Sequence, residues 1–255
     1  RYAQVYLDKP GLPVPKVGRE ELEALPTILK AKREHDVEVD HDAIAWSLEP
    51  DDTQLRRLRA HYDGNITLID EQVGRVVETL ERRGYLDDCV VIFMSDHGDN
   101  LGEHGLSQKW SMYDPVTRVP AIVWAPGRLA GGRRLEGLCQ LFDFGPTILE
   151  LAGISPPEDF EAQSLLPALE GKPWAGREAV FSEQAGDVAM ADTRLITMIR
   201  TKTEKAVLFL GSEEGQYFDL VADPAEVNNR WNDPATQPRI TELRRQLLEW
   251  RLESS

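Results

Sequence analysis

Between residues 50 and 84 apolar side chains recur at Leu55, Leu58, Tyr62, Ile66, Ile69, Val73, Val76 and Leu80. The steps of three and four trace one stripe along a helix and predict a long helix over 52–83 that faces a core. Pro50-Asp51-Asp52 supplies an acidic N-terminal start, and Gly84 after two arginines supplies the stop. The period then changes. Residues 89–94 (CVVIFM) and 119–124 (VPAIVW) are unbroken apolar runs. They predict strands covered on both faces, as in a parallel sheet between helix layers. Asp143 is placed to cap a short helix running through Pro146 to Leu151, with Gly153 closing it.

After Pro156-Pro157 four short strand-like runs, 179–183, 194–200, 206–210 and 216–219, are separated by turn residues. That spacing predicts an antiparallel meander. Ile240, Leu243, Leu247, Leu248 and Leu252 follow as an amphipathic helix that can cover it. A boundary near 155 therefore divides the chain into 1–154 and 155–255. Residues 1–50, punctuated by prolines and closing on a charge-rich stretch, read as surface wrapping with short helical turns.

The chain has 255 residues and a net charge of −15. A negative surface repels phosphate backbones, so neither nucleic acid nor an anionic membrane is expected as a partner. No apolar run approaches the ~20 residues of a bilayer span. Two cysteines, Cys89 and Cys139, make no disulfide framework, and both sit in apolar neighbourhoods that predict buried, inert thiols.

The chemistry concentrates where the first strand ends. Asp96-His97-Gly98 follows an apolar strand directly, and in open α/β sheets ligands bind beyond the carboxyl ends of strands. Adjacent carboxylate and imidazole can give two ligands to one metal ion, with glycine permitting close backbone approach. Lys109 is the single lysine between Lys32 and Lys172. A compact ammonium on a flexible stem suits a tetrahedral anion. His35, His41, Asp99, Glu103 and His104 read as solvated positions, and Asp219, Asp223 and Glu226 as turn and capping acids.

An ordered series of motifs resembles the type I sulfatases of the alkaline-phosphatase superfamily. It comprises YDGNITLIDEQVGR at 62–75, LERRGYLDD at 80–88, VIFMSDHGDNLGEHG at 91–105, Lys109 and RVPAIVWAPG at 118–127. It continues with FDFGPTILELAG at 142–153, SLLP at 164–167 and YFDLVADPAE at 217–226. The resemblance implies an α/β fold: part of an alkaline-phosphatase-like sheet-and-helix domain plus a small antiparallel C-terminal α+β subdomain. It implies hydrolysis of sulfuric esters, small molecules or sulfated sugars, at a divalent metal, calcium first, with manganese or magnesium as alternatives. Asp96 and His97 are then metal ligands, and Lys109 is the catalytic, substrate-binding contact to sulfate.

The resemblance is incomplete. The family's formylglycine nucleophile arises within Cys-x-Pro/Ala-x-Arg, and neither Cys89 nor Cys139 lies in that motif. Its N-terminal aspartate pair and its His-x-Pro segment are absent too. The expectation is a C-terminal portion, inactive alone, whose missing N-terminal half supplies the nucleophile, in a protein that can also form an oligomer. His97 stands where many arylsulfatases carry Asn; related phosphonate and phosphate ester hydrolases share the His, and nitrogen suits manganese or zinc better than calcium. Two rival readings follow: a phosphonate monoester or phosphodiester hydrolase of the same superfamily, and a non-catalytic interaction domain.

Overall fold

A computed structural model describes residues 1–9, 11–39, 47–186 and 193–253. His41 lies outside them. The described residues gather into two compact units that interleave along the chain. The first takes Arg1–Asp87, His97–Arg118 and Gly186–Arg194; the second takes Asp88–Asp96, Val119–Ala185 and Leu195–Ser255.

The first unit is helical: α1 (Tyr2–Leu7), α2 (Arg19–Ala24), α3 (Thr27–Val39), α4 (Asp52–Arg82) and the short α5 (Asp114–Thr117). The long helix begins as predicted. Asp51 accepts from the Gln54 amide while the Gln54 side chain accepts from the Asp51 amide, a reciprocal cap. It ends at Gly84, whose φ of +71° lets the Tyr85 amide reach back to the Leu80 carbonyl at 2.9 Å. Helix α1 packs along it at Gly64, where a Cβ would come within 2.7 Å of the Ala3 amide nitrogen. The Tyr6 and Thr67 hydroxyls are 2.6 Å apart at the same contact. The apolar stripe is covered unevenly: Leu55 is buried, whereas Ile66, Ile69 and Val76 are half-exposed or more.

The N-terminal fifth departs from expectation. Where the sequence reads as wrapping, α3 runs for 13 residues. Its apolar positions are few, so periodicity does not announce it. Its inward face instead carries Leu29 and a buried ion pair, Lys32 with Asp36.

In the second unit β1 (Val91–Met94) pairs antiparallel with β2 (Ala121–Trp124), Val91 opposite Trp124 and Met94 opposite Ala121. The predicted cover on both faces is not present among the described residues: Phe93, Met94, Ile122 and Trp124 are exposed. An unbroken apolar run reports that a strand suits burial; it does not place the covering layer within the same stretch of chain.

The meander appears as predicted. Strands β3 (Ala179–Ala185), β4 (Leu195–Thr201), β5 (Glu204–Phe209) and β6 (Gly215–Asp219) form one antiparallel sheet in chain order. Helix α8 (Gln237–Glu253) seats Ile240, Leu243 and Leu247 against Ile199, Ala206, Tyr217 and Trp231. The Trp231 indole lies over Gly215, where a Cβ would meet the ring at 2.6 Å. Leu248 and Leu252, predicted on the covering face, are exposed instead.

Two short helices, α6 (Phe144–Leu151) and α7 (Leu166–Leu169), complete the second unit. Asp143 sits at the N-cap of α6 but does not cap it. Its buried carboxylate takes the Arg177 guanidinium and the amides of Gln140 and Gln163. Among the described residues no helix is long and apolar enough to cross a membrane.

Candidate active site

Asp96 and His97 follow the end of β1 as consecutive residues. Asp96 is exposed, with Ser95 Oγ 3.4 Å from its Oδ1. His97 is half-buried, and its Nδ1 lies 2.8 Å from the Gly98 carbonyl oxygen. A carbonyl oxygen only accepts, so that contact requires Nδ1–H. The lone pair of the neutral ring is then on Nε2, the arrangement of a metal-ligating histidine whose other nitrogen is held by backbone.

The turn is fixed by Gly98. Its amide donates to the Val116 carbonyl at 2.8 Å. A Cβ at this position would lie 2.0 Å from the Pro115 carbonyl oxygen, so only glycine allows the two backbones to approach this closely. Carboxylate and imidazole make a mixed O/N donor set fit for a divalent cation. No cluster of three or more acidic, His or Cys side chains exists among the described residues.

Lys109 comes from a loop wound with unusual backbone. Leu101, His104, Gln108 and Trp110 all have φ between 48° and 68°. None is glycine, and each costs roughly 1 kcal/mol or more in that region. The surroundings over-determine the loop. Asp99 Oδ1 accepts from the amides of Leu101 (2.8 Å) and Gln108 (3.1 Å). The buried Asn100 donates to the Gln108 carbonyl from both its amide and its side chain, and accepts from Ser111 Oγ at 3.1 Å. Helix α3 holds the same loop from beside it: Arg33 Nε donates to the Gly105 carbonyl at 2.7 Å, and Lys32 Nζ to the Ser107 carbonyl at 2.9 Å.

Several residues read as solvated are not. His104 is buried, its Nδ1 2.8 Å from Glu21 Oε1 and its ring stacked on Tyr113 at 3.6 Å between centroids. Glu103 pairs with Arg59 of α4, and Asp99 is spent on the turn amides just described. His35 belongs to α3. Asp219 and Asp223 do accept from turn amides, but Glu226 is buried in an ion pair with Lys205. The thiols also depart from expectation. Cys89 is half-buried and Cys139 exposed, although partial desolvation and nearby Asp143 push the Cys139 thiol up. Lys32, Asp36 and Trp110 carried no motif signal; Asp36 sat within a charged run that gives no hint of burial.

The sulfatase family model matches residues 22–154, more than half the chain. The chain belongs to the sulfatase family. A second model, N-sulphoglucosamine sulphohydrolase, C-terminal, matches residues 102–253. Among relatives, an arylsulfatase of Clostridium perfringens is 35% identical over 199 residues, 76% of this chain and 40% of that protein. The multifunctional alkaline phosphatase superfamily protein PehA of Trinickia caryophylli is 34% identical, over 83% of this chain and 44% of its own length. The phosphonate monoester hydrolase SpPMH from Silicibacter pomeroyi superposes with a TM-score of 0.84 at 28% identity, covering 96% of this chain and 51% of that one. This sulfatase-family chain thus spans about half or less of the length of these relatives, and it shares their α/β architecture.

Proposed function

We propose that these residues are the C-terminal part of a sulfuric ester hydrolase, with Asp96 and His97 as metal ligands and Lys109 as the cation that meets the sulfate group. The observation that carries this is the His97 ring, whose Nδ1 is turned to the Gly98 carbonyl at a strand end beside an exposed carboxylate. A bound divalent cation supplies Lewis acidity toward a sulfate oxygen. Lys109 provides a second fixed positive charge, which counts most where negative charge develops in the transition state. The ion is calcium by family resemblance, while the imidazole donor favours manganese or zinc.

In this reading residues 1–154 belong to the catalytic domain and 155–255 to a subdomain packed around the meander and α8. The nucleophile and the remaining metal donors come from a partner segment of the same protein outside these 255 residues. The uncovered apolar faces of β1, β2 and α4 support such a layer.

A second reading, a phosphonate monoester hydrolase, is favoured by the fit to SpPMH over nearly the whole chain. Rates of the full-length protein on an aryl sulfate and an aryl phosphonate monoester separate the two. The sulfatase reading expects the larger kcat/KM on the sulfate, and a Lys109→Ala loss of roughly two to three decades. A Lys109→Ala variant at the parental rate on both substrates overturns the role given to Lys109.

A further inference from the structure

The Lys109 ammonium lies 5.7 Å from the centroid of the Trp110 indole, and the Lys32 ammonium lies 5.4 Å from the same ring. Both distances are within cation–π range. Lys32 is no ordinary lysine. It is 1% exposed, paired with Asp36, itself 2% exposed, one helical turn further along α3. The pair grips the loop at one residue from both sides: Lys32 donates to the Ser107 carbonyl at 2.9 Å, and Ser107 Oγ donates to Asp36 Oδ2 at 3.0 Å. Ser107 is two positions before Lys109.

Charge explains why the pair is needed as a pair. Two cations sharing one ring repel each other unless one is compensated. Asp36 neutralises Lys32, so the indole faces Lys109 with no uncompensated charge beside it. Burial lowers the Lys32 pKa, and Asp36 and Asp99 oppose that shift, so the protonated form depends on its acidic neighbours. Gln108 and Trp110, flanking Lys109, both occupy the left-handed region that such side chains rarely adopt, so the loop's own Asp99 and Asn100 hydrogen bonds are supplemented by the grip of α3.

We infer that Lys32, Asp36 and Trp110 are positioning residues for Lys109: the buried pair pins the loop at Ser107 and the indole, and the indole fixes the ammonium that meets the substrate. This rests on the reading of Lys109 as the sulfate contact. The test is a double-mutant cycle in the full-length protein, read as kcat on an aryl sulfate. Trp110→Leu lowers kcat about tenfold, in keeping with loss of a partly desolvated cation–π contact. Trp110→Phe keeps an aromatic face and recovers most of that loss. In a Lys109→Ala background Trp110→Leu lowers kcat by less than about twofold, because its effect passes through an ammonium already gone. Asp36→Asn follows the same pattern, and should it fail to fold, the Trp110 cycle decides alone. Equal fold losses in both backgrounds would overturn the inference, since a merely structural role multiplies through. So would a parental rate for Trp110→Leu. A Lys109→Ala variant with undiminished turnover would instead overturn the underlying reading of Lys109.

Discussion

Replacing Gly98 with alanine adds one methyl group at the turn that carries both proposed metal ligands. The new Cβ would stand 2.0 Å from the Pro115 carbonyl oxygen and 3.1 Å from its carbon. An ordinary carbon–oxygen contact is about 3.3 Å, so one backbone must move by roughly 1 Å. Neither obstacle is the end of a flexible side chain. The move stretches the Gly98 amide to Val116 carbonyl hydrogen bond, now 2.8 Å. Overpacking of this kind costs about 1–3 kcal/mol, and the weakened hydrogen bond adds about 1. At about 2–4 °C per kcal/mol for a chain of this size, Tm falls by roughly 4–16 °C. A 1 Å displacement of positioned groups costs about 100-fold in turnover, so the full-length protein should lose activity well before it loses its fold. Gly74→Ala is the control, since a Cβ there meets nothing within 4 Å and the site is mid-helix in α4. It should be neutral or stabilising by up to about 1 kcal/mol. Thermal unfolding with steady-state aryl sulfate kinetics gives both numbers. A Gly98→Ala variant within 2 °C and twofold of the parent (roughly the noise of such assays) would refute the close-approach argument.

Lys205 and Glu226 form an ion pair whose side chains are essentially inaccessible. Lys205→Ala should cost about 3–5 kcal/mol in denaturant unfolding, because it leaves a buried carboxylate uncompensated; a loss below 1 kcal/mol would contradict this. Burial, together with a 2.7 Å hydrogen bond to Glu204, pushes the Tyr217 phenol up to about 12. A phenol whose folded-state pKa is raised stabilises the fold fully below the unfolded value near 10, and that stability is lost as pH rises toward about 12. Tyr217→Phe should therefore flatten the alkaline part of the stability–pH curve, and an unchanged slope there would count against the shift. If Asp96 and His97 hold the ion as proposed, they fill only part of the six to eight positions calcium takes, and no larger ligand cluster exists among the described residues; calorimetry on these 255 residues should find calcium binding weak or undetectable, and a submicromolar Kd would contradict that.

Much of the architecture is legible in the order of residues because it is locally specified. The start and stop of α4 follow from Asp51 and Gly84, and the meander follows from short apolar runs broken by turn residues. What escaped depends on partners distant in sequence. Asp36 and His104 have the composition of surface residues and become buried through Lys32 and Glu21, respectively. The left-handed Leu101 and Gln108 are held by the Asp99 and Asn100 hydrogen bonds, since neither residue type seeks that region itself. For β1 and β2 the sequence signals burial, yet the described residues leave their faces open. The proposed ligand pair and the lysine stood out as motifs, but the tautomer of His97 and the support beneath Lys109 depend on contacts that only the folded chain makes.

The most direct test of the account is the metal content of the full-length protein with and without the two proposed ligand side chains. After exhaustive dialysis, elemental analysis should find about one divalent metal ion per chain in the parent, the stoichiometry expected if both donors serve one shared site. In Asp96→Ala/His97→Ala the same analysis should find a small fraction of that, with Tm no longer raised by added metal. A double variant that is folded and retains the parental metal content would show that the ion, wherever it sits, is not held by the strand end where this account places it.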